Sequence, residues 1–146
     1  MKMSTKGRYG LRVMAELAGR YGQGPVSADV IARNQDISGK YIHLLVMVLR
    51  SAGLVRSVRG PGGGYELARK PSSITALDVV SALEGSSAPA ECVTDAAYCP
   101  RASRCATRDV WRDVSSAVDG VLSGITLEQL SARQRAMSDK RTNRCS

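Results

Sequence analysis

Apolar residues recur at three- and four-residue steps along most of this chain and alternate with polar ones over only two short stretches. From Thr5 to about Arg20, Leu11, Met14, Ala15, Leu17 and Ala18 form one stripe, which Gly22 and Gly24-Pro25 bring to an end; the spacing predicts a helix. Ser27 is placed to cap a second, shorter helix, Ala28 to about Asn34, with Val30 and Ile31 facing inward. After a break at Gln35–Ile37, Ser38 offers another cap. Gly39 to Ala52 then carries Tyr41, Ile42, Leu45, Val48 and Leu49 on one stripe, closed by Gly53.

The alternation falls at Leu54–Val58 and Tyr65–Leu67, on either side of Arg59-Gly60-Pro61-Gly62-Gly63-Gly64; this reads as a hairpin around a glycine-rich turn. Thr75 caps a helix through about Leu83, and Gly85–Ala90 is a loop. Glu91–Cys105 has no clear period. A long amphipathic helix is expected from about Ser103 to Leu122, with Val110, Trp111, Val114, Val118, Val121, Leu122 and Ile125 on its apolar face. Its length, about 30 Å at 1.5 Å per residue, exceeds what so small a domain covers easily. The stripe therefore meets a second copy of itself, or else packs as a core helix within one subunit. Thr126 caps a last short helix, Leu127–Ala136, and Met137–Ser146 reads as a polar, basic, mobile tail.

Charge changes the picture. Residues 1–70 hold 12 basic and 4 acidic side chains out of totals of 21 and 13, so the whole net charge of +8 lies in the first half and the second half is neutral. One lobe thus carries a positive field suited to a polyanion, and a foldable basic lobe most often meets nucleic acid. With 43% hydrophobic residues the chain has enough apolar material for a core. No run approaches a membrane span, and the start, broken by Lys2, Lys6, Arg8 and Arg12, is unlike a signal peptide. The single histidine, His43, leaves no second imidazole for a catalytic triad or a histidine-rich metal cage, and no paired carboxylates or nucleophile–base set stands out; an enzyme is not expected. The glycine loop is not a P-loop, because Tyr65 opens a strand where Gly-Lys-Ser/Thr would open a helix.

Helix, helix, turn, helix and hairpin within the basic half make a mainly α fold of the winged helix-turn-helix kind, followed by a long C-terminal dimerisation helix. In that arrangement the third helix offers its first outward residues to the major groove of duplex DNA. Ser38, Lys40 and His43 are the groove candidates, with Tyr41 in reach of a phosphate. Arg59 and Gly60 form a hairpin tip, where a lone arginine suits a narrow minor groove and backbone can approach the sugar-phosphate rail. The divisions expected are 1–84 for the DNA-binding domain, 85–105 for a cysteine-bearing loop, 106–137 for the dimerisation helix with the short helix after it, and 138–146 for the tail. The alternatives are a plain hairpin without function and a winged-helix adaptor that binds protein instead of DNA.

Cys92, Cys99 and Cys105 are spaced C-x6-C-x5-C. This does not match the C-x2-C pairs of zinc ribbons, but a loop bearing three thiolates can wrap an iron–sulfur cluster. Zinc or a thiol switch are the other readings. Cys145, far off in the tail, reads as a bystander.

The stretches Ser4-Thr5-Lys6-Gly7-Arg8-Tyr9-Gly10, Leu49–Val55, Ser57–Tyr65 and Ile125-Thr126-Leu127 resemble the IscR/NsrR-type, or Rrf-type, winged-helix regulators, and the likeness runs to about residue 130. The resemblance implies a cytoplasmic, homodimeric transcription regulator bound to a double-stranded operator, not an enzyme and not a membrane protein. It further implies a cluster, [2Fe-2S] ahead of [4Fe-4S], on Cys92, Cys99 and Cys105. Arg59 matches the wing arginine, and Ser38, Lys40 and Tyr41 fall at the start of the recognition helix. The chain departs from the pattern at three places. Arg108 stands where IscR-like members carry a histidine ligand, and Arg8 where nitric-oxide sensors carry an aspartate from the partner's first helix; Asp109, a thiol from solution or water are left to complete the site. His43-Leu44 replaces a glutamate–glutamine pair. The resemblance also admits a cluster-free regulator of cysteine metabolism or thiol redox state.

Overall fold

The computed structural model describes residues 2–144, with side chains through Arg141; Met1, Cys145 and Ser146 fall outside the described residues, and with them the reading of Cys145. The elements are α1 (Thr5–Gly19), α2 (Ala28–Gln35), α3 (Gly39–Ser51), β1 (Val55–Val58), β2 (Gly64–Leu67), α4 (Ala76–Glu84), α5 (Glu91–Thr94), α6 (Ala106–Ser123) and α7 (Leu127–Arg144), with single 3-10 turns at Pro71–Ser73, Ala96–Tyr98 and Ala102–Arg104.

Hydroxyl caps set most helix starts, each accepting from a backbone N–H left over by the first turn. Ser27 Oγ accepts from Val30 at 3.3 Å and Ser38 Oγ from Tyr41 at 3.3 Å. Thr75 and Thr126 are stronger: each accepts from the residue three on, Asp78 or Gln129, whose side chain accepts in return from the cap's own N–H. α2 ends on Asp36 in the left-handed region (φ 52°), which turns the chain sharply before α3.

One face of α3 closes the core: Ile42, Leu45, Val46 and Leu49 are buried against Val13, Met14 and Leu17 of α1, Ile31 of α2, and Val79 and Leu83 of α4. α1 and α4 touch closely at Gly10, where a Cβ would fall 2.0 Å from Leu83 Cδ1. The Glu84 carboxylate then accepts from the N–H groups of Ser4 and Gly7 and from the Ser4 hydroxyl, so the end of α4 caps the start of α1. β1 and β2 pair antiparallel with Val55 opposite Leu67 and Val58 opposite Gly64. Val26 adds a bridge to Tyr65 that the sequence pattern does not announce.

Three features differ from expectation. α6 begins at Ala106 instead of Ser103, because 102–104 form a 3-10 turn. α7 runs to Arg144, well past Ala136; residues 137–144 lack Gly and Pro and keep helical propensity without an apolar stripe, so periodicity carries no trace of them and the expected mobile tail is helix as far as Arg144. The winged lobe, finally, is not closed by residues 1–84 alone. Thr75 and Thr126 form a bridge in which Ala76 N–H donates to Ile125 O (2.8 Å) and Leu127 N–H to Ile74 O (2.9 Å). This inserts Leu127, fully buried, into the core, while α7 lies along α1. Leu127→Ala is therefore expected to destabilise the winged lobe itself by about 2–5 kcal/mol, the usual cost of a buried leucine truncation. Denaturant unfolding followed at α3 measures it, and an unchanged midpoint would contradict the shared core.

Candidate nucleic-acid interface and cysteine loop

Burial of one stripe of α3 turns its other side outward. Ser38 and Lys40 are exposed at its start, Tyr41 is half-buried, and His43 is exposed one step along. Ser38 Oγ is engaged as a cap, whereas Lys40 has no carboxylate partner among the described residues. Tyr41 packs edge-on against Tyr9 (centroids 5.9 Å, 86°), and the guanidinium groups of Arg8 and Arg12 lie 5.8 and 5.2 Å from the Tyr9 ring centre. His43 Nδ1 is 3.0 Å from the Tyr65 hydroxyl. Leu44, singled out in the sequence beside His43, and Met47, which the sequence reading passed over, are 40% and 57% exposed on the same outer face; a large apolar side chain off the buried stripe of the helix was the available signal for Met47. In a major groove such side chains suit thymine methyl groups.

The wing stands beside this face. Arg56 pairs with Glu66 across the strands at 2.8 Å, and Arg50 Nη1 donates to Ser57 Oγ at 3.2 Å, tying the end of α3 to β1. Arg59, exposed at the tip, has no partner among the described residues. Gly60 (φ 97°) turns the chain next to it, and Gly63 N–H donates to Gly60 O at 2.9 Å. The basic residues of the two probes are thus unneutralised while their neighbours are paired.

The cysteines follow α4 in the chain. Cys92 sits in α5, Cys99 follows the turn at 96–98, and Cys105 is the residue before α6; all three are half-buried free thiols. Arg108 fastens this segment. Its Nε donates to Cys92 O at 2.6 Å and its Nη1 to Ala102 O at 3.4 Å. The Arg108 guanidinium is therefore a brace between the two ends of the loop, a role missed in the sequence because spacing says nothing of carbonyl acceptors. Among the described residues no three thiol, imidazole or carboxylate groups converge to hold a metal ion. Cys105 is distinct chemically. The Thr107 hydroxyl 3.1 Å from its sulfur, then the Arg108 backbone N–H, hold its thiol below the ordinary value of 9.0.

A helix with an exposed outer face, a hairpin tipped by an unpaired arginine and a separate thiol-bearing segment are the parts of a winged-helix transcriptional regulator. The chain belongs to the Rrf2 family, whose profile, described as an iron-dependent transcriptional regulator, matches residues 3–133. It is 45% identical over 132 residues to the HTH-type transcriptional regulator CymR of Bacillus subtilis, covering 90% of this chain and 91% of that one. The solved structure of that protein, described as the global cysteine regulator of B. subtilis, superposes with a TM-score of 0.76 over 91% of this chain and 98% of its own. The HTH-type transcriptional regulator IscR of Aliivibrio salmonicida is 42% identical over 130 residues, 89% of this chain and 77% of the relative. The structure of T. potens IscR matches at 39% identity with a TM-score of 0.76, covering 92% and 88%. Near-equal likeness to both lines places the fold and class beyond the choice of signal.

Alkylation at limiting reagent is expected to label Cys105 ahead of Cys92 and Cys99. A lowered thiol reaches half thiolate at lower pH, so its labelling rate should rise at lower pH than that of a free cysteine, and Thr107→Val should erase the advantage. Peptide mass spectrometry reads the order, and three equal rates would contradict it.

Proposed function

We propose that this protein is a homodimeric, operator-binding regulator that lays α3 in a major groove and the Arg59 tip of the wing in the adjacent minor groove. The observation that carries the reading is the pairing pattern: Lys40 is exposed and uncommitted on the outer side of α3 with His43, Leu44 and Met47, and Arg59 is exposed and uncommitted at the tip of the wing. Ser38, Tyr41 and Gly60 serve as the cap, the phosphate-side hydroxyl and the close-approach turn of that face. Contact with phosphates releases counterions, so log affinity should fall with log salt by about 0.9 per neutralised phosphate. Arg59→Ala should weaken a selected operator by about 1–3 kcal/mol. Duplexes selected from a genomic pool supply the operator, and binding that ignores both salt and Arg59 would favour the protein-binding adaptor.

The dimer rests on α6. The helix buries none of its residues within the chain, and Val110, Trp111 and Val121 are 53%, 43% and 64% exposed. Covering the part of each such side chain still in water gains roughly half of the 1.5–3 kcal/mol that full burial is worth. A second α6 laid along this stripe covers all three. Val110→Glu with Val121→Glu should convert a dimer into a folded monomer by light scattering; a dimer that persists would place the interface elsewhere.

The input is the segment from Cys92 to Cys105. It stands at the foot of α6, where a chemical change reaches the helix that sets the distance between the two α3 helices of a dimer. Arg108 as a brace and the thiol of Cys105 support a cysteine- or redox-responsive reading. The family description and the likeness to IscR support a second one, in which Cys92, Cys99 and Cys105 take a cluster, [2Fe-2S] by preference, once Arg108 has released them. Purification without oxygen, with visible absorbance and native mass, separates the two.

A further inference from the structure

The sequence pattern gives Tyr65 only a strand position. In the fold both of its backbone groups are taken by Val26, with Val26 N–H donating to Tyr65 O and Tyr65 N–H donating to Val26 O, each at 2.8 Å. The close approach is possible because the preceding Gly64 has no Cβ, which would lie 2.3 Å from Val26 O. So held, the phenol reaches α3: its oxygen is 3.0 Å from His43 Nδ1, with the rings edge to face at 6.2 Å and 76°.

Which atom donates follows from the chemistry of the two groups. A phenol is a strong donor and a poor acceptor, because its lone pair is delocalised into the ring, while a neutral imidazole nitrogen accepts well. On this chemistry Tyr65 O–H is assigned as the donor to Nδ1, which leaves the ring proton on Nε2. Nε2 has no partner among the described residues, and His43 is exposed on the outer side of α3. The imidazolium carries the same Nε2–H. A free histidine could turn its ring over and offer an acceptor instead; with the hydroxyl on Nδ1 it offers one N–H and nothing else.

We propose that Tyr65 is a positioning residue for base recognition: it fixes His43 as a single N–H donor, and His43 thereby selects guanine at one position of each half-site. Guanine presents two acceptors, N7 and O6, on its major-groove edge. Adenine sets a competing N6 donor beside N7, cytosine presents a donor, and thymine has one acceptor next to a methyl group. The inference rests on the DNA-binding reading above.

Two measurements test it. His43 is the sole histidine of the chain, so imidazole nitrogen shifts of the full-length protein report its tautomer without overlap. A proton on Nε2 is expected, and one on Nδ1 would overturn the proposal whatever the variants do. The second measurement compares duplexes selected by the native protein, Tyr65→Phe and His43→Ala. The native protein should prefer guanine by about fivefold or more at one position per half-site, the lower end of a typical mismatch penalty. Replacing that base with 7-deazaguanine, which lacks N7, should weaken native binding. Both variants should lose the preference at that same position while keeping the salt dependence and the remaining positions. An unchanged guanine preference in Tyr65→Phe, or losses at different positions in the two variants, would refute the coupling. A native protein that enriches no duplex would instead refute the DNA-binding reading itself.

Discussion

The burial of Ile42, Leu45, Val46 and Leu49 against α1, α2 and α4 is the constraint from which the rest of this molecule follows. An α-helix presents its residues around a full circle, so fixing one stripe in a core fixes what the opposite stripe shows. Here the consequence is that Lys40, His43, Leu44 and Met47 face outward together. The same packing sets the wing: Leu54, Val55 and Leu67 belong to the same core, and Arg50 and Tyr65 connect α3 to the strands through hydrogen bonds. The two probes are thus parts of one rigid lobe.

Much of this was legible in the residues because it is local. The caps at Ser27, Ser38, Thr75 and Thr126 stand where hydroxyls precede apolar periodicity, and the hairpin where alternation flanks glycine. What escaped was non-local or polar. The Val26–Tyr65 bridge, the pairing of 74–76 with 125–127, and the Glu84 cap on α1 are contacts between residues far apart in sequence that no short window holds. The second half of α7 escaped for the opposite reason, since it is helical without burying a stripe. For the cysteine segment, spacing identified Cys92, Cys99 and Cys105 as a group. It could not reveal that Arg108 would bind the backbone of that segment, because carbonyl oxygens have no sequence signature.

Arg108 also reframes how a regulator of this family can vary its signal on a constant scaffold. The cysteines hang between the end of α4 and the start of α6, outside the core, so their chemistry can change without touching α3. A guanidinium satisfied by two carbonyls holds the segment in one shape with no metal-binding group of its own. The α3 lobe is constrained by packing, and the cysteine segment by a few polar contacts; the second is the cheaper to alter.

The pairing of Thr75 with Thr126 has a mechanical meaning. It consists of main-chain hydrogen bonds, so the joint survives almost any side-chain replacement except proline at 76 or 127, which would delete a donor. α6 is consequently hinged to the lobe at its far end and tethered through the cysteine segment at its near end. A helix held at both ends, and midway by α4 and by the hydrogen bond from Ser87 to Asp119, keeps one direction relative to the lobe, so whatever covers its exposed stripe is aligned with α3 as well.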